Sequence, residues 1–249
     1  MLRIALAQCR RTADFDVNAA TILSFLNQAI AARAQIVCFP EAQTVGYRVD
    51  ISDARIACIL GTEIPSPVGK PYNSALLVNE SGQILGAHHK FRLTPLDAVA
   101  YGPGQDFETW TVCGIVIGVV IRYGGFRYAE TTATCVDQGA LLVFHPQNNT
   151  ARSNDWKIPI HHAMTITRAA ENTVWFASCN ACLDTYQNCQ TMIVVPDGRI
   201  HANAAMKREE LLVADIDITK ATHAMYRYDI SAELLFANTV DRGEYEEIL

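Results

Sequence analysis

The chain has 249 residues, of which 50% are hydrophobic and 18% charged, so it has enough apolar material for one large core. Its formal net charge of −6 argues against nucleic acid and anionic membrane surfaces as partners, because both are bound through clustered positive charge. The longest apolar run, residues 115–121, is far shorter than a membrane span. Eight cysteines without a signal segment indicate buried free thiols in a cytoplasmic protein.

A strand and an amphipathic helix are predicted at the start of the chain. Residues 2–8 predict the strand, and residues 14–34 predict the helix, with Asp14 or Asp16 as its N-terminal cap. The apolar positions at helical spacing are Ala19, Leu23, Leu26 and Ile30. These four side chains are therefore expected to face the core.

A short apolar strand follows and ends at Pro40, which leaves Glu41 just beyond it. Residues 72–78 and 83–90 predict a strand pair joined by a turn. Residues 91–106 are rich in proline and glycine and predict a loop.

The second half of the chain adds strands, helices and a hairpin. Strands are predicted over 111–121 with a break at Gly114, 140–144, 173–178, 191–195, 198–202 and 210–218, and helices around 128–137 and 156–172. The face predicted to be buried in the second of these helices consists of Ile160, Met164 and either Thr167 or Arg168. No linker or repeat interrupts the pattern, which predicts a single domain over residues 1–249, with a C-terminal tail from about residue 220, built from mixed sheets with helices outside.

The stretch "IGVVIRYGGFRYAE", residues 117–130, predicts a buried strand that ends in a sharp glycine-rich turn before a helix. Enzymes often place a nucleophile at such a junction. Here the position after the strand is Arg122, which cannot act as a nucleophile.

Several motifs in this order resemble those of the nitrilase superfamily, the carbon–nitrogen hydrolases. They are "FPE" at 39–41, "YNSALLV" at 72–78, "HHKFRLTP" at 88–95, "GVVIRY" at 118–123 and "RAAENTVWFASCN" at 168–180. The resemblance implies an α/β (α+β) fold, specifically a four-layer αββα sandwich. It also implies a homodimer or larger homo-oligomer, with the helices that start near Tyr128 and Trp156 in the interface. Between residues 48 and 64 the chain is about one helix shorter than is usual for the family, with "ACILGTE" as the remaining strand.

The same resemblance assigns roles to individual residues. Glu41 takes the position of the general base, and Lys90 takes that of the cation that stabilises developing negative charge. Asp97 stands where the family often has a second glutamate. Tyr47, Asp97 and Tyr123 are expected to contact the substrate or ligand. No cofactor is implied.

The position of the catalytic cysteine is Arg122, or Tyr123 in the alternative alignment, and neither residue is a cysteine. Cys113 and Cys135 are too far along the chain to replace it. Arg122 is expected to enter the former catalytic pocket and form a charge-assisted contact with Glu41, because arginine is well shaped for two-pronged pairing with a carboxylate. The charges of Lys90 and Arg122 would then be balanced by Asp97 or by a bound anion.

No metal site is predicted. The cluster of three cysteines in this region has one C-x-x-C pair, Cys179 and Cys182, followed by Cys189, and no convincing fourth ligand. The three are therefore interpreted as thiols around a loop. Adjacent His161 and His162 point about 100° apart on a helix and are interpreted as packing and surface residues.

The favoured hypothesis is a catalytically inactive family member, a pseudoenzyme that binds a small anionic or amide-like ligand. One alternative is an active amidohydrolase for C–N bonds other than peptide bonds, working through another nucleophile such as Tyr123 or through water activated by Glu41. A second alternative is a structural remnant that serves oligomer formation.

Overall fold

Two mixed sheets packed face to face, with helices on both outer faces, form the protein in this computed structural model. The structure describes residues 1–44, 55–67, 69–149, 156–182 and 187–224. Within these residues each sheet has six strands. The arrangement is the predicted four-layer αββα sandwich.

The first sheet carries the strand that leads to Glu41. Its strands are β1 (Leu2–Gln8), β2 (Ile36–Cys38), β3 (Ala57–Ile64), β4 (Tyr72–Val78), β5 (Ile84–His89) and β12 (Glu210–Ile216), in the order β12-β1-β2-β3-β4-β5. β1, β2 and β3 are parallel neighbours, and the other pairs are antiparallel. The sheet is therefore mixed, as predicted.

The second sheet carries the strand that leads to Arg122. Its strands are β6 (Thr109–Val112), β7 (Ile115–Val119), β8 (Leu142–Gln147), β9 (Trp175–Asn180), β10 (Met192–Val194) and β11 (Ile200–Asn203), in the order β11-β10-β9-β8-β7-β6. β7, β8 and β9 are parallel neighbours. Their carboxyl ends consequently lie at one edge of the sheet.

The helices are α1 (Phe15–Ala31), α2 (Asp97–Ala100), α3 (Tyr123–Arg127), α4 (Ala129–Asp137) and α5 (Lys157–Asn172), and a 3₁₀ turn spans Ile218–Lys220. Among the residues described, no helix combines the length and the apolar character needed to cross a bilayer. The short helices α2 and α3 lie where the sequence predicts a loop and a turn.

The core is centred between the two sheets. Ile4 and Leu6 of the first sheet share one buried cluster with Ile117, Phe144 and Trp175 of the second. Each such side chain contributes about 1.5–3 kcal/mol through burial. A second cluster joins α1 to the outer face of the first sheet, and a third joins α4 and α5 to the second sheet.

The prediction for the buried face of α1 is wrong. Leu23 is 42% exposed and Ile30 is 41% exposed, and Leu26 is the one predicted position that is fully buried. The buried face consists of Asn18, Ile22, Phe25, Leu26 and Ala29. Both stripes have helical spacing, and the stripe with Phe25 and Ile22 packs on the sheet because it buries more apolar surface. The cap is Asp14, whose carboxylate accepts from the backbone N–H groups of Asp16 and Val17.

The prediction for α5 holds only for its alternative Arg168, which is buried. Ile160 and Met164 are only half-buried and Thr167 is exposed. The buried face consists of His161, Thr165, Arg168, Ala169 and Asn172. This face is polar because it contacts backbone carbonyls. The Nε of Arg168 donates a hydrogen bond to the carbonyl oxygen of Gly125 (3.1 Å), and its Nη2 donates one to that of Phe126 (2.8 Å).

Candidate active site

Glu41 is held just beyond β2 by a close approach of β3. A Cβ on Gly61 would lie 2.0 Å from the carbonyl oxygen of Pro40, so the backbone of β3 passes too close for any side chain. The backbone N–H of Glu41 donates across to the carbonyl of Gln147 at the end of β8 (3.3 Å). Glu41 is only 4% exposed and is therefore fixed from both sheets.

Three donors satisfy the Glu41 carboxylate. Its Oε1 accepts from Lys90 Nζ at 2.5 Å and from Asn73 Nδ2 at 2.8 Å, and its Oε2 accepts from the backbone N–H of Asn148 at 3.0 Å. Asn73 lies in β4, and Asn148 follows β8 directly. The sequence analysis missed both residues, although Asn73 lies within the motif "YNSALLV".

Lys90 lies between two carboxylates. It follows β5, is 1% exposed, and places its Nζ 2.9 Å from Asp97 Oδ2 as well as 2.5 Å from Glu41. Burial raises the pKa of Asp97, but attraction to the Lys90 ammonium and hydrogen bonds from Lys90 and Thr94 outweigh it, and the pKa lies below its usual value. Asp97 is therefore ionised at neutral pH.

Arg122 occupies a strained turn directly after the strand region. Its φ of 39° and ψ of −103° lie where non-glycine residues are rarely found. The backbone N–H of Arg122 donates to the carbonyl of Pro146 in β8 (3.1 Å), and its own carbonyl accepts from His145 Nε2 (2.9 Å). Burial lowers the pKa of His145 to about 3, so the ring is neutral and has one N–H for this contact.

The end of β8 thus positions both halves of the site. The carbonyls of Pro146 and Gln147 accept hydrogen bonds from the backbone N–H groups of Arg122 and Glu41, respectively. The backbone N–H of Asn148 donates to the Glu41 carboxylate. The end of β8 therefore brings the turn at Arg122 and the residue Glu41 together.

The side chain of Arg122 makes a long ion pair with Glu41. Its Nε lies 3.9 Å from Glu41 Oε2, which is too long for a hydrogen bond, and the side chain is 26% exposed. The ion pair is not two-pronged, and the hydrogen bonds to the carboxylate come from Lys90, Asn73 and Asn148. Glu41, Lys90, Asp97 and Arg122 are called the charge tetrad below, and their formal charges sum to zero.

Tyr123 is turned towards a neighbouring tyrosine. Its hydroxyl hydrogen-bonds with Tyr128, which raises the pKa of Tyr128, and the two ring centroids are 5.4 Å apart. In the part of the chain that the structure describes, Tyr123 has no hydrogen bond to the charge tetrad. The predicted ligand residue Tyr47 lies outside the described residues.

Tyr101 and Glu63 are a further pair near the tetrad that the sequence analysis missed. The Tyr101 hydroxyl donates to the Glu63 carboxylate. Burial and that hydrogen bond raise the pKa of Tyr101, and the charge of Glu41 adds to the effect. Both residues lie at element ends, Glu63 in β3 and Tyr101 after α2.

The cysteines lie away from the nucleophile position. Cys135 packs against Gly118 on the outer side of β7, and burial raises its pKa to about 12. Cys113 Sγ faces the carbonyl of Gln35, 3.7 Å away. Cys179 is buried between the carbonyls of Ala7 and Cys38. Among the described residues, no three or more His, Cys, Asp or Glu side chains form a group that could hold a metal ion.

The family model for carbon–nitrogen hydrolases matches residues 3–226. The chain belongs to the carbon–nitrogen hydrolase family. Among curated relatives, it is 23% identical to omega-amidase NIT2 of Mus musculus, over 88% of this chain and 89% of the relative.

Two solved structures of the same superfamily have the same fold. Nit3 of Saccharomyces cerevisiae, a member of branch 10 of the nitrilase superfamily, aligns with a TM-score of 0.77 at 21% identity, over 97% of this chain and 96% of Nit3. A variant of the amidase from Nesterenkonia sp. AN1 in complex with butyramide aligns with a TM-score of 0.77 at 23% identity, over 94% and 95% of the two chains. This carbon–nitrogen hydrolase family member thus has the superfamily fold, with arginine after the strand where the resemblance places cysteine.

Proposed function

We propose that this carbon–nitrogen hydrolase family member is catalytically inactive as an amidase or nitrilase and binds a small ligand at the charge tetrad. The observation that supports the proposal is the position of Arg122. It occupies the strained turn after β7, held from β8, and its side chain reaches Glu41. Without a thiolate there, the covalent step has no nucleophile.

The hydrogen bonding of Glu41 argues against the alternative of a water activated by this residue. A general base needs a free lone pair directed at the water. Oε1 of Glu41 accepts two hydrogen bonds and Oε2 accepts one, and the Arg122 Nε stands 3.9 Å from Oε2, beside the one lone pair that remains. Tyr123 packs against Tyr128, and within the described part of the chain its hydroxyl has no hydrogen bond to a charge-tetrad residue that could activate it.

The test is ammonia release from a panel of short amides and nitriles by the full chain, with Glu41→Gln as the matched variant. We expect both proteins to give the rate of the buffer blank, since losing a nucleophile costs on the order of a million-fold in turnover. Turnover by the unmodified chain that disappears in Glu41→Gln would contradict the proposal. Arg122→Cys alone should restore little, because the "YGGF" turn and the loop of Asp97 differ from the family pattern.

We also propose a homodimer that pairs through the helix layer of α4 and α5. Trp156, immediately before α5, has most of its surface exposed, as expected of an apolar residue that a partner covers. Light scattering at micromolar concentration should give twice the chain mass of 27.4 kDa. A mass of one chain would contradict this assembly.

A further inference from the structure

The guanidinium of Arg122 has unused hydrogen-bond donors. An arginine has five N–H donors, yet within the described residues the guanidinium of Arg122 makes no hydrogen bond and has one ion pair, from Nε to Glu41 at 3.9 Å. Arg168, by comparison, donates from each of its three guanidinium nitrogens, to Gly125, Phe126 and Glu171. A side chain that is 26% exposed leaves the donors of Arg122 within reach of a solute.

The neighbouring carboxylates do not need these donors. Glu41 already accepts three hydrogen bonds, and Asp97 accepts from the backbone N–H of Thr94 (2.9 Å) and is paired with Lys90. Arg122 therefore offsets charge at a distance while its hydrogen-bonding capacity remains available. A residue that binds a ligand anion needs both a positive charge and free hydrogen-bond donors.

We propose that the terminal nitrogens of Arg122 bind the carboxylate of a small monocarboxylic acid, which rests on the proposed ligand-binding function and names its ligand class. A guanidinium and a carboxylate form two parallel hydrogen bonds, whereas an uncharged amide has a single oxygen to accept from the two guanidinium donors. Phosphate is disfavoured, because a second negative charge would approach Glu41 and Asp97. The tetrad has no net charge, so recognition depends on the paired hydrogen bonds more than on a long-range field.

The experiment is calorimetric titration of the full chain at pH 7 and constant ionic strength with butyrate, butyramide and inorganic phosphate as separate probes. We expect butyrate to bind more tightly than the other two. Arg122→Gln should weaken butyrate binding by at least about tenfold, and Arg122→Lys should fall between, since lysine keeps the charge but loses the fork. Arg199→Gln removes an exposed arginine that pairs with Asp197 and should leave binding unchanged.

Several results would overturn the inference. One is that butyrate does not bind. Another is that Arg122→Gln binds butyrate as tightly as the unmodified chain while the unfolding midpoint of the variant is unchanged. A third is that butyramide or phosphate binds as tightly as butyrate or more tightly. Ammonia released from butyramide in the same samples, and lost in Glu41→Gln, would instead contradict the proposed lack of turnover. The two failures are therefore distinguishable.

Discussion

The backbone at Arg122 is strained, and replacing the residue with glycine or with alanine should separate the strain from the role of the side chain. Both variants remove the guanidinium and its long ion pair with Glu41. They differ in the Cβ, which alanine keeps and glycine lacks. The difference between their stabilities therefore reports the backbone conformation.

The magnitude follows from the φ of 39° at this position. A non-glycine residue held in a sparsely populated region costs on the order of 1–3 kcal/mol. Glycine avoids this cost but loses roughly 0.5–1 kcal/mol more conformational entropy on folding. We expect Arg122→Gly to be more stable than Arg122→Ala by about 1 kcal/mol, or roughly 2–4 °C in midpoint for a chain of this size.

Chemical denaturation followed by circular dichroism measures the difference. The control is Ala20→Gly on the exposed side of α1, where the conformation is helical and glycine should cost about 1 kcal/mol. Alanine is thus preferred at residue 20 and glycine at residue 122. If Arg122→Ala proved as stable as Arg122→Gly, or more stable, the strain argument would be refuted.

Three other perturbations follow from the site and the core. Lys90→Met leaves two carboxylates facing each other in a buried site and should cost about 3–5 kcal/mol in denaturant titrations; adding Glu41→Gln should recover part of the loss, and no recovery would contradict the ion-pair account. Burial lowers the pKa of His88 and His145 to about 3, so the unfolded chain takes up these protons first as pH falls below 6.5. The free energy of unfolding should therefore fall by about 2 kcal/mol per histidine between pH 7 and pH 5, and a flat profile would refute this. Gly61→Ala forces a Cβ to 2.0 Å from a backbone oxygen and should lower the free energy of unfolding by about 1–3 kcal/mol. An unchanged free energy of unfolding would show that β3 can move away.

The sequence was sufficient for the strands, the long helices and the identity of the charged residues. Apolar runs and turns located the strands, and the ordered motifs placed Glu41, Lys90 and Asp97 in one site, where Lys90 Nζ lies 2.5 Å from Glu41 and 2.9 Å from Asp97. These features depend on local patterns and on motif order. They require no knowledge of side-chain direction.

Features that depend on register and side-chain geometry were not predictable. Asn73 and Asn148 reach Glu41 because of how β4 and β8 are aligned with β2, and no local pattern encodes that alignment. The face of α1 was misassigned because two stripes on the helix both have helical spacing. The length of the Arg122–Glu41 ion pair was not predictable either, because it depends on the other donors that surround Glu41.

The charges of the site explain why an arginine is compatible with this position. Glu41 and Asp97 carry two negative charges, and Lys90 supplies one positive charge, so these three residues leave one negative charge uncompensated in a largely buried site. A neutral residue after the strand would leave that charge without a partner, which is costly at low dielectric. Arg122 offsets it from 3.9 Å without a hydrogen bond to Glu41. On the proposals made above, the same side chain stands at the nucleophile position, offsets the charge of the two carboxylates and is the group to which a ligand carboxylate binds.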